Sequence, residues 1–329
     1  MRKNIYLKFI GKCLLCLIPL FGLVFFTAFC PMCYMDEEYP AWRYSKEVTK
    51  ADTGEQYYNT VILGDSIAKS SIIPTEFTDE SCVNLAVGGA TAFDMYYSFK
   101  TYLENHEAPE NAVILFGPFH YWHIDNYKTR SVYFKSLKIA DAAELYENAR
   151  KVDAGSVIFD DYKVYELSCR LSLPTVYLPA LNASGFTGRK KINKALYESI
   201  CDRGGYSAFG TEDYCDDVSY EASYDGIDYD ADVYLLFNYL KSLLEECEAK
   251  GCRIFVVQPA LNEATFEVMD ENYLEEYKGL LDLVDENFEN VCVEKSLRCY
   301  GNEYFGDASH LNERGAKKYT QELKKYYGF

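Results

Sequence analysis

The sequence is poor in histidine and in basic side chains. Its 329 residues contain 33 Lys and Arg against 51 Asp and Glu, a formal charge of −18, and four histidines: His106, His120, His123 and His310. Nucleic acids are bound by clustered Lys and Arg, so this charge argues against a nucleic-acid partner, and against anionic ligands outside a local basic pocket. The histidines do not have the spacing of a metal site. We therefore expect neither a metal nor another cofactor.

Long stretches without charge are also scarce, and the clearest is near the N-terminus. Residues 13–35 carry no charged side chain, which suffices for a helix that crosses a bilayer, where roughly 20 residues are needed. Basic residues precede this stretch and acidic ones follow it: Arg2, Lys3, Lys8, Lys12, Asp36, Glu37 and Glu38. This asymmetry predicts that the basic end is cytoplasmic.

From this pattern we predict a single-pass protein of the cell membrane. Residues 1–35 form a cytoplasmic tip and transmembrane anchor, residues 36–57 a stalk, and residues 58–329 an extracytoplasmic domain. A cleaved secretory signal is the alternative interpretation, although the apolar core of a signal is usually shorter.

The region after the stalk alternates between short apolar runs and amphipathic stretches. The apolar runs predict five strands, at 61–64, 83–85, 112–116, 253–257 and 290–293. Helical spacing of apolar residues predicts helices at about 93–103, 231–250, 270–286 and 313–327. This alternation predicts an α/β fold with a doubly wound, mostly parallel sheet. Residues 119–230 are expected to form a long helical insertion that packs over the carboxyl edge of the sheet and covers part of the site.

Two distant segments carry the candidate chemistry. The first strand ends at Gly64-Asp65-Ser66, and Asp307-Ala308-Ser309-His310 precedes the last predicted helix. A serine hydroxyl needs a base before it can attack an ester at neutral pH. We predict that Ser66 is the nucleophile, that His310 is its base and that Asp307 orients the imidazole. The alternative is that Gly-Asp-Ser is only a turn, in which Asp65 caps the next segment.

These two segments, together with Asn84-Leu85-Ala86-Val87-Gly88-Gly89, resemble the first, second and last sequence blocks of the SGNH (GDSL) hydrolase family. The resemblance implies a flavodoxin-like SGNH fold. It also implies an oxyanion hole made by the backbone N–H of Ser66 and one from Gly88 or Gly89. The chain departs from the family after the third strand, where residues 117–122 contain no asparagine. We expect Asp65, Phe119, His120 and Trp122 to contact substrate, with packing as the alternative role for the aromatic-flanked histidines.

The anchor and this departure make the chain similar to membrane-anchored SGNH-like proteins of the D-alanyl-lipoteichoic-acid (DltD) and alginate-acetylation types. That resemblance implies O-acyl transfer on a cell-surface glycan or glycolipid, with a multispanning membrane O-acyltransferase as a possible partner. Two alternatives stay open: an esterase of the GDSL type that uses water, and a non-catalytic glycan-binding or assembly protein.

The cysteines leave a further question open. Of 12 cysteines, eight lie beyond the predicted anchor, an even number that permits disulfides in an exported domain. Cys201 with Cys215 and Cys292 with Cys299 could close short loops. Free thiols are the alternative.

Overall fold

A parallel sheet of five strands lies at the centre of the protein, in a computed structural model that describes residues 2–328 except 52–57, 78–80, 160, 186 and 289. Two further strands pair with each other in a small separate sheet. In chain order the strands are β1 Thr60–Gly64, β2 Cys82–Asn84, β3 Asn111–Leu115, β4 Arg253–Val256, β5 Ala260–Asn262, β6 Val291–Val293 and β7 Arg298–Tyr300. The main sheet thus confirms the predicted α/β class, whereas the sheet of β5 and β7 was not predicted.

The strand order of the main sheet is β2-β1-β3-β4-β6, and every neighbouring pair is parallel. The chain first adds a strand on one side of β1 and then continues on the other side. A crevice therefore forms at the carboxyl ends of β1 and β3, the position where open α/β sheets bind ligands.

Helices cover both faces of this sheet and account for most of the remaining chain. They are α1 Arg2–Phe29, α2 Tyr39–Lys50, α3 Ser66–Ser71, α4 Ala92–Leu103, α5 Ile139–Val152, α6 Tyr162–Arg170, α7 Pro174–Ala183, α8 Arg189–Asp202, α9 Ala231–Ala249, α10 Glu263–Phe266, α11 Glu271–Asn287 and α12 Glu313–Tyr327. The predicted helices at 93–103, 231–250, 270–286 and 313–327 correspond to α4, α9, α11 and α12.

The two faces of the sheet have separate apolar cores because successive strand residues point in opposite directions. Val61 and Leu63 of β1 pack with α2, α4, α9 and α11 on one face. Ile62 packs with residues of α3 and α12 on the other face. Strands buried on both sides are expected to be almost wholly apolar, which is why β1 and β3 could be recognised from the sequence.

Helix α1 is apolar over Ile5–Phe29, long enough to cross a membrane, and its most apolar part is not buried within the structure. Near its end, Thr27 is buried against the domain. A signal sequence near the N-terminus would have the same length and composition. The apolar helix ends earlier than predicted. Beyond a short turn at Pro31–Cys33, Tyr34 and Met35 are buried in the folded domain rather than belonging to the apolar helix.

The segment predicted as a stalk is largely folded onto the domain, insofar as it lies within the described residues. Helix α2 buries Trp42 and Tyr44 in the same core as the sheet, and the Ser45 hydroxyl donates to the carbonyl oxygen of Leu85. Helix α2 was not predicted, because the segment is polar on average and its apolar residues lie on one face only. Residues 52–57 of the predicted stalk lie outside the described residues.

The predicted insertion lies between β3 and α9 and includes α5 to α8. Its helices do not cover the carboxyl edge as expected, since α7 packs against α1 and α8 packs against α2. Short turns and loops of the insertion reach the crevice instead. All twelve cysteines are described, and every one is a free thiol.

Candidate active site

Ser66, His310 and Asp307 form a continuous hydrogen-bonded row at the carboxyl end of β1. The Nδ1–H of His310 donates to the Asp307 carboxylate, with both oxygens at 2.9 Å. Because Nδ1 carries the proton, Nε2 can accept, and Ser66 Oγ lies 2.8 Å from it. The two segments that the sequence analysis expected to meet are therefore in direct contact. This is the arrangement that lets an imidazole remove a proton from a hydroxyl.

A tight turn fixes the position of Asp307 relative to His310. One oxygen of Asp307 accepts the backbone N–H groups of Ser309 and His310, both at 2.8 Å, and Gly306 N–H donates to the His310 carbonyl oxygen. The ring of Phe209 stacks on the imidazole with centroids 4.2 Å apart. Burial by itself would raise the pKa of Asp307, but the hydrogen bond and charge of His310 outweigh it and lower that pKa. Asp307 is therefore ionised at neutral pH and can balance a positive charge on the imidazole.

Asp65 places Ser66 at the start of α3. The Asp65 side chain is fully buried; one oxygen accepts the N–H of Ile67 at 2.8 Å, and the other accepts the N–H of Gly117 at 2.9 Å. Asp65 thus caps α3 and ties it to the segment that follows β3. It does not line the cleft beside Ser66, so the structure places it behind the site and not at the position of a substrate contact.

A cleft of about 380 Å³ opens in front of Ser66 and His310, and we call it the Ser66 cleft. Two of the predicted substrate contacts line it, Phe119 and His120, and so do both predicted oxyanion glycines, Gly88 and Gly89. Its other lining residues were not predicted from the sequence: Glu38, Asp125, Asn126, Arg130, Phe209, Tyr220 and Tyr224.

Trp122 lies apart from the cleft lining. It is buried, its ring meets that of Tyr224 edge-on, and its Nε1–H points to the Tyr273 hydroxyl at 3.4 Å. The neighbouring Glu221 accepts the N–H of Phe119 at 3.2 Å and the Tyr273 hydroxyl at 2.8 Å. Burial raises the pKa of Glu221 to about 7. These residues form the packed wall behind the aromatic side of the cleft.

The two glycines after β2 form a turn that is crowded on its outer side. Gly89 has φ +73, a conformation that is easy only for glycine, and a Cβ there would lie 2.9 Å from the amide nitrogen of Asn126. At Gly88, a Cβ would lie 2.0 Å from the carboxylate of Glu38. The Trp42 indole N–H donates to the Gly88 carbonyl oxygen at 3.2 Å. The turn is therefore fixed from both sides.

Asn126 supplies a side-chain amide to the cleft from a position that the sequence analysis did not consider. Asn126 lies just beyond residues 117–122, where the family resemblance implies an asparagine, in the turn before the π-helical segment Tyr127–Val132. The composition of the sequence does not mark this residue. Only the fold shows that it lies beside Gly89.

His120 is a buried imidazolium on the cleft wall. Its Nδ1–H donates to Asp65 at 2.6 Å, and its Nε2 lies 3.7 Å from an oxygen of Asp125. Burial on its own would lower the pKa of His120, but the hydrogen bonds and charges of Asp125 and Asp65 outweigh it and raise that pKa to about 10. His120 is therefore protonated at neutral pH, and the carboxylates of Asp65 and Asp125 balance its charge.

An ion pair between Glu38 and Lys69 lies at one side of the cleft. Lys69 lies on α3 and is almost completely buried, and its Nζ is 3.1 Å from the Glu38 carboxylate. The same Nζ lies 4.2 Å from the centre of the Phe209 ring. Lys69 thus balances the negative charge of the Glu38 carboxylate, which lies beside Gly88.

Within the described residues, no group of three or more His, Cys, Asp or Glu side chains is arranged to hold a metal ion. Comparisons with protein-family models and with curated proteins find no match for this chain. The interpretation of the site therefore depends on its geometry.

Proposed function

We propose that the protein is a serine-dependent O-acyltransferase of the SGNH type that acts outside the cytoplasm on a cell-surface glycan or glycolipid. The observation that carries this proposal is the row Ser66–His310–Asp307, with 2.8 Å between the hydroxyl and the imidazole and 2.9 Å between the imidazole and the carboxylate. Such a row supplies a nucleophile, a base and the group that fixes the base.

The reaction proceeds through an acyl-enzyme. Ser66 Oγ attacks the carbonyl carbon of the donor ester while His310 takes the hydroxyl proton, and His310 then gives that proton to the departing alcohol. An acceptor hydroxyl next loses its proton to His310 and attacks the acyl-serine. The new ester leaves, and His310 returns the proton to Ser66.

The oxyanion of each tetrahedral intermediate would be held by backbone N–H groups of Ser66 and of Gly88 or Gly89. Each donor of this kind contributes about 10²–10³ to the rate in comparable enzymes. Asn126 lies against Gly89 and is the side-chain amide best placed to add a further donor. It would take the role of the asparagine that the family carries after the third strand and that residues 117–122 lack.

The strand order supports the SGNH assignment. The five strands of the main sheet follow the second-first-third-fourth-fifth order of flavodoxin-like sheets, with Ser66 at the switch point after β1. Folding and packing alone give no reason for a serine and an Asp-x-x-His pair to meet at the same edge of the sheet.

The start of the domain supports an anchor that stays attached. The Thr27 hydroxyl, near the end of α1, donates to the Ser172 carbonyl oxygen at 2.7 Å, and the Tyr34 hydroxyl donates to the Thr27 carbonyl oxygen at 2.5 Å. Removal of α1 would break contacts that are buried in the domain. With the basic N-terminus in the cytoplasm, the Ser66 cleft lies outside, close to the membrane, where a multispanning O-acyltransferase could deliver the acyl group.

Turnover of a 4-nitrophenyl ester by the full-length protein in mild detergent tests this proposal. We expect turnover by the native protein, loss of about 10³-fold or more in Ser66→Ala and His310→Ala, and native activity in Ser199→Ala, which changes an exposed serine on α8. An added oligosaccharide acceptor should take the acyl group in preference to water. Exclusive transfer to water would establish an esterase, and absence of turnover by the native protein would contradict enzymatic acyl chemistry.

A further inference from the structure

A second and larger cavity, of about 700 Å³, lies between the end of α1 and helix α2, and we call it the α1–α2 cavity. Ala28 and Phe29, the last residues of the apolar helix, form one rim, and the turn Pro31–Cys33 continues it. If α1 spans the bilayer, this rim is at the level where hydrocarbon gives way to lipid head groups. The cavity does not include Ser66 or His310.

The α1–α2 cavity is basic in a strongly acidic protein. Arg43, Lys46, Lys50 and Lys190 line it, and Glu47 is the acidic residue among its described lining residues. Glu47 is already paired with Arg43 at 2.8 Å. Within the part of the chain that the structure describes, no carboxylate lies within 4.0 Å of the three lysine ammonium groups. Asp141 attracts Lys50 at longer range, but Lys46 and Lys190 have no such partner among the described residues, so positive charge exceeds negative charge in the cavity.

Lys46 is the most enclosed of these lysines. Its Nζ donates to the carbonyl oxygen of Lys135 at 2.6 Å, which leaves two of its three N–H groups for other acceptors. Burial lowers the pKa of Lys46 to about 8, and the positive charges of Lys50, Lys135 and Arg170 lower it further in the same direction. An anion bound in the cavity would relieve this repulsion.

Lys46 is connected to the end of the apolar helix through Lys135 and Ser172. Lys135 Nζ donates to the Ser172 hydroxyl, and the Ser172 carbonyl oxygen accepts the Thr27 hydroxyl of α1. These contacts fix the height of Lys46 relative to α1. On the opposite side, the rings of Tyr39 and Trp42 pack on Phe134, with centroids 5.6 and 5.8 Å apart, and form an apolar wall.

We infer that the α1–α2 cavity binds an anionic glycerophospholipid from the leaflet in which α1 ends. Lys46 and Lys190 bind the phosphate, and the aromatic wall packs against the glycerol and the first acyl carbons. Because the rim lies at the level of the lipid head groups, we expect the phosphate to belong to a lipid. Because the lysines have no carboxylate partner within 4.0 Å among the described residues, we expect that lipid to be anionic. This inference does not depend on the chemistry of Ser66.

Native mass spectrometry of the full-length protein in detergent tests this assignment, with phosphatidylglycerol and phosphatidylcholine of identical acyl chains as probes. We expect retention of phosphatidylglycerol in preference to phosphatidylcholine. Lys46→Gln/Lys190→Gln should weaken that retention about ten-fold or more. Glutamine keeps a donor for the Lys135 carbonyl oxygen, and Lys190→Gln alone, at an exposed site, should produce part of the loss without any effect on folding.

The matched control is Lys241→Gln/Lys325→Gln, which removes two exposed lysines from α9 and α12 and alters the net charge equally. It should retain phosphatidylglycerol as the native protein does. Equal retention of the two lipids, or unchanged retention by Lys46→Gln/Lys190→Gln, would overturn the assignment. Displacement of the lipid by millimolar inorganic phosphate would show a site for a free anion and would also overturn it. The ester turnover of all these variants should match the native protein, so this test and that of the proposed function fail separately.

Discussion

Glu38 and Lys69 form an ion pair at 3.1 Å that joins the segment after the apolar helix to the helix that begins with Ser66. Lys69 is almost fully enclosed, whereas Glu38 lines the Ser66 cleft and lies against Gly88. The residues that follow α1 therefore form part of the site wall. A protein cut immediately before Glu38 would be expected to lose both the lining of the cleft and the charge that balances Lys69.

Glu38→Gln should destabilise the protein by about 3–5 kcal/mol, because it leaves a buried ammonium group without its counter-charge. Urea denaturation of the full-length protein measures this loss. The double variant Glu38→Gln/Lys69→Met removes both charges and should recover most of the stability. Glu37→Gln is the matched control, since Glu37 is exposed and pairs with Arg189 at 3.1 Å; it should cost no more than about 1 kcal/mol. Equal losses in Glu37→Gln and Glu38→Gln would contradict this account.

Asp307→Asn should lower kcat for ester turnover by about 10⁴-fold and leave KM nearly unchanged. Asparagine keeps an oxygen for the N–H groups of Ser309 and His310, so the turn survives, but it cannot hold His310 in the tautomer that accepts from Ser66. Steady-state kinetics measure both constants. A decrease in kcat of less than ten-fold would show that Asp307 is not required to orient the imidazole.

Asn126→Ala should reduce kcat by about 10²–10³-fold if its amide donates to the oxyanion. Asn238→Ala, at an exposed position on α9, provides the control and should behave as the native protein. A rise in KM without a change in kcat would instead assign Asn126 to substrate binding, and native values of both would remove it from the site.

His120 should make the stability of the protein depend on pH between about 6.5 and 10. Its folded pKa is raised to about 10 from 6.5, so the stabilisation by its charged form is fully present below pH 6.5 and is lost as the pH rises through about 10. The difference in thermal midpoint between the native protein and His120→Gln should therefore shrink as the pH rises from 6 to 10. Asp65→Asn, which removes the carboxylate 2.6 Å from His120, should flatten the same dependence. A difference that stays constant over this range would contradict the charged state.

The central sheet could be predicted because its strands are buried on both faces. Their near-continuous apolar runs stand out in β1 and β3, and the runs end at Gly64-Asp65-Ser66 and at Gly117-Pro118. Strands β5 and β7 have three residues each and lie between other short segments, so no periodicity could indicate them. The meeting of Ser66 and His310 could be predicted on chemical grounds, because a serine nucleophile needs a base and Asp307-x-x-His310 is the candidate that the sequence offers.

The rest of the cleft could not be predicted, because its residues come from segments with no pattern of their own. Glu38 lies in an acidic stretch that resembles a solvated linker, and its partner Lys69 follows a strand far along the chain. Asp65 was expected at the substrate, yet it accepts three hydrogen bonds behind Ser66. Local sequence shows which residues are polar, but only the tertiary structure shows which of them face the cleft.

The most direct measurement of the central claim is labelling of the full-length protein with a serine-directed fluorophosphonate, followed by mass spectrometry of the modified peptide. We expect one modified residue, Ser66, with no labelling in Ser66→Ala and strongly reduced labelling in His310→Ala. Labelling at another serine, or labelling that persists unchanged in Ser66→Ala, would contradict it.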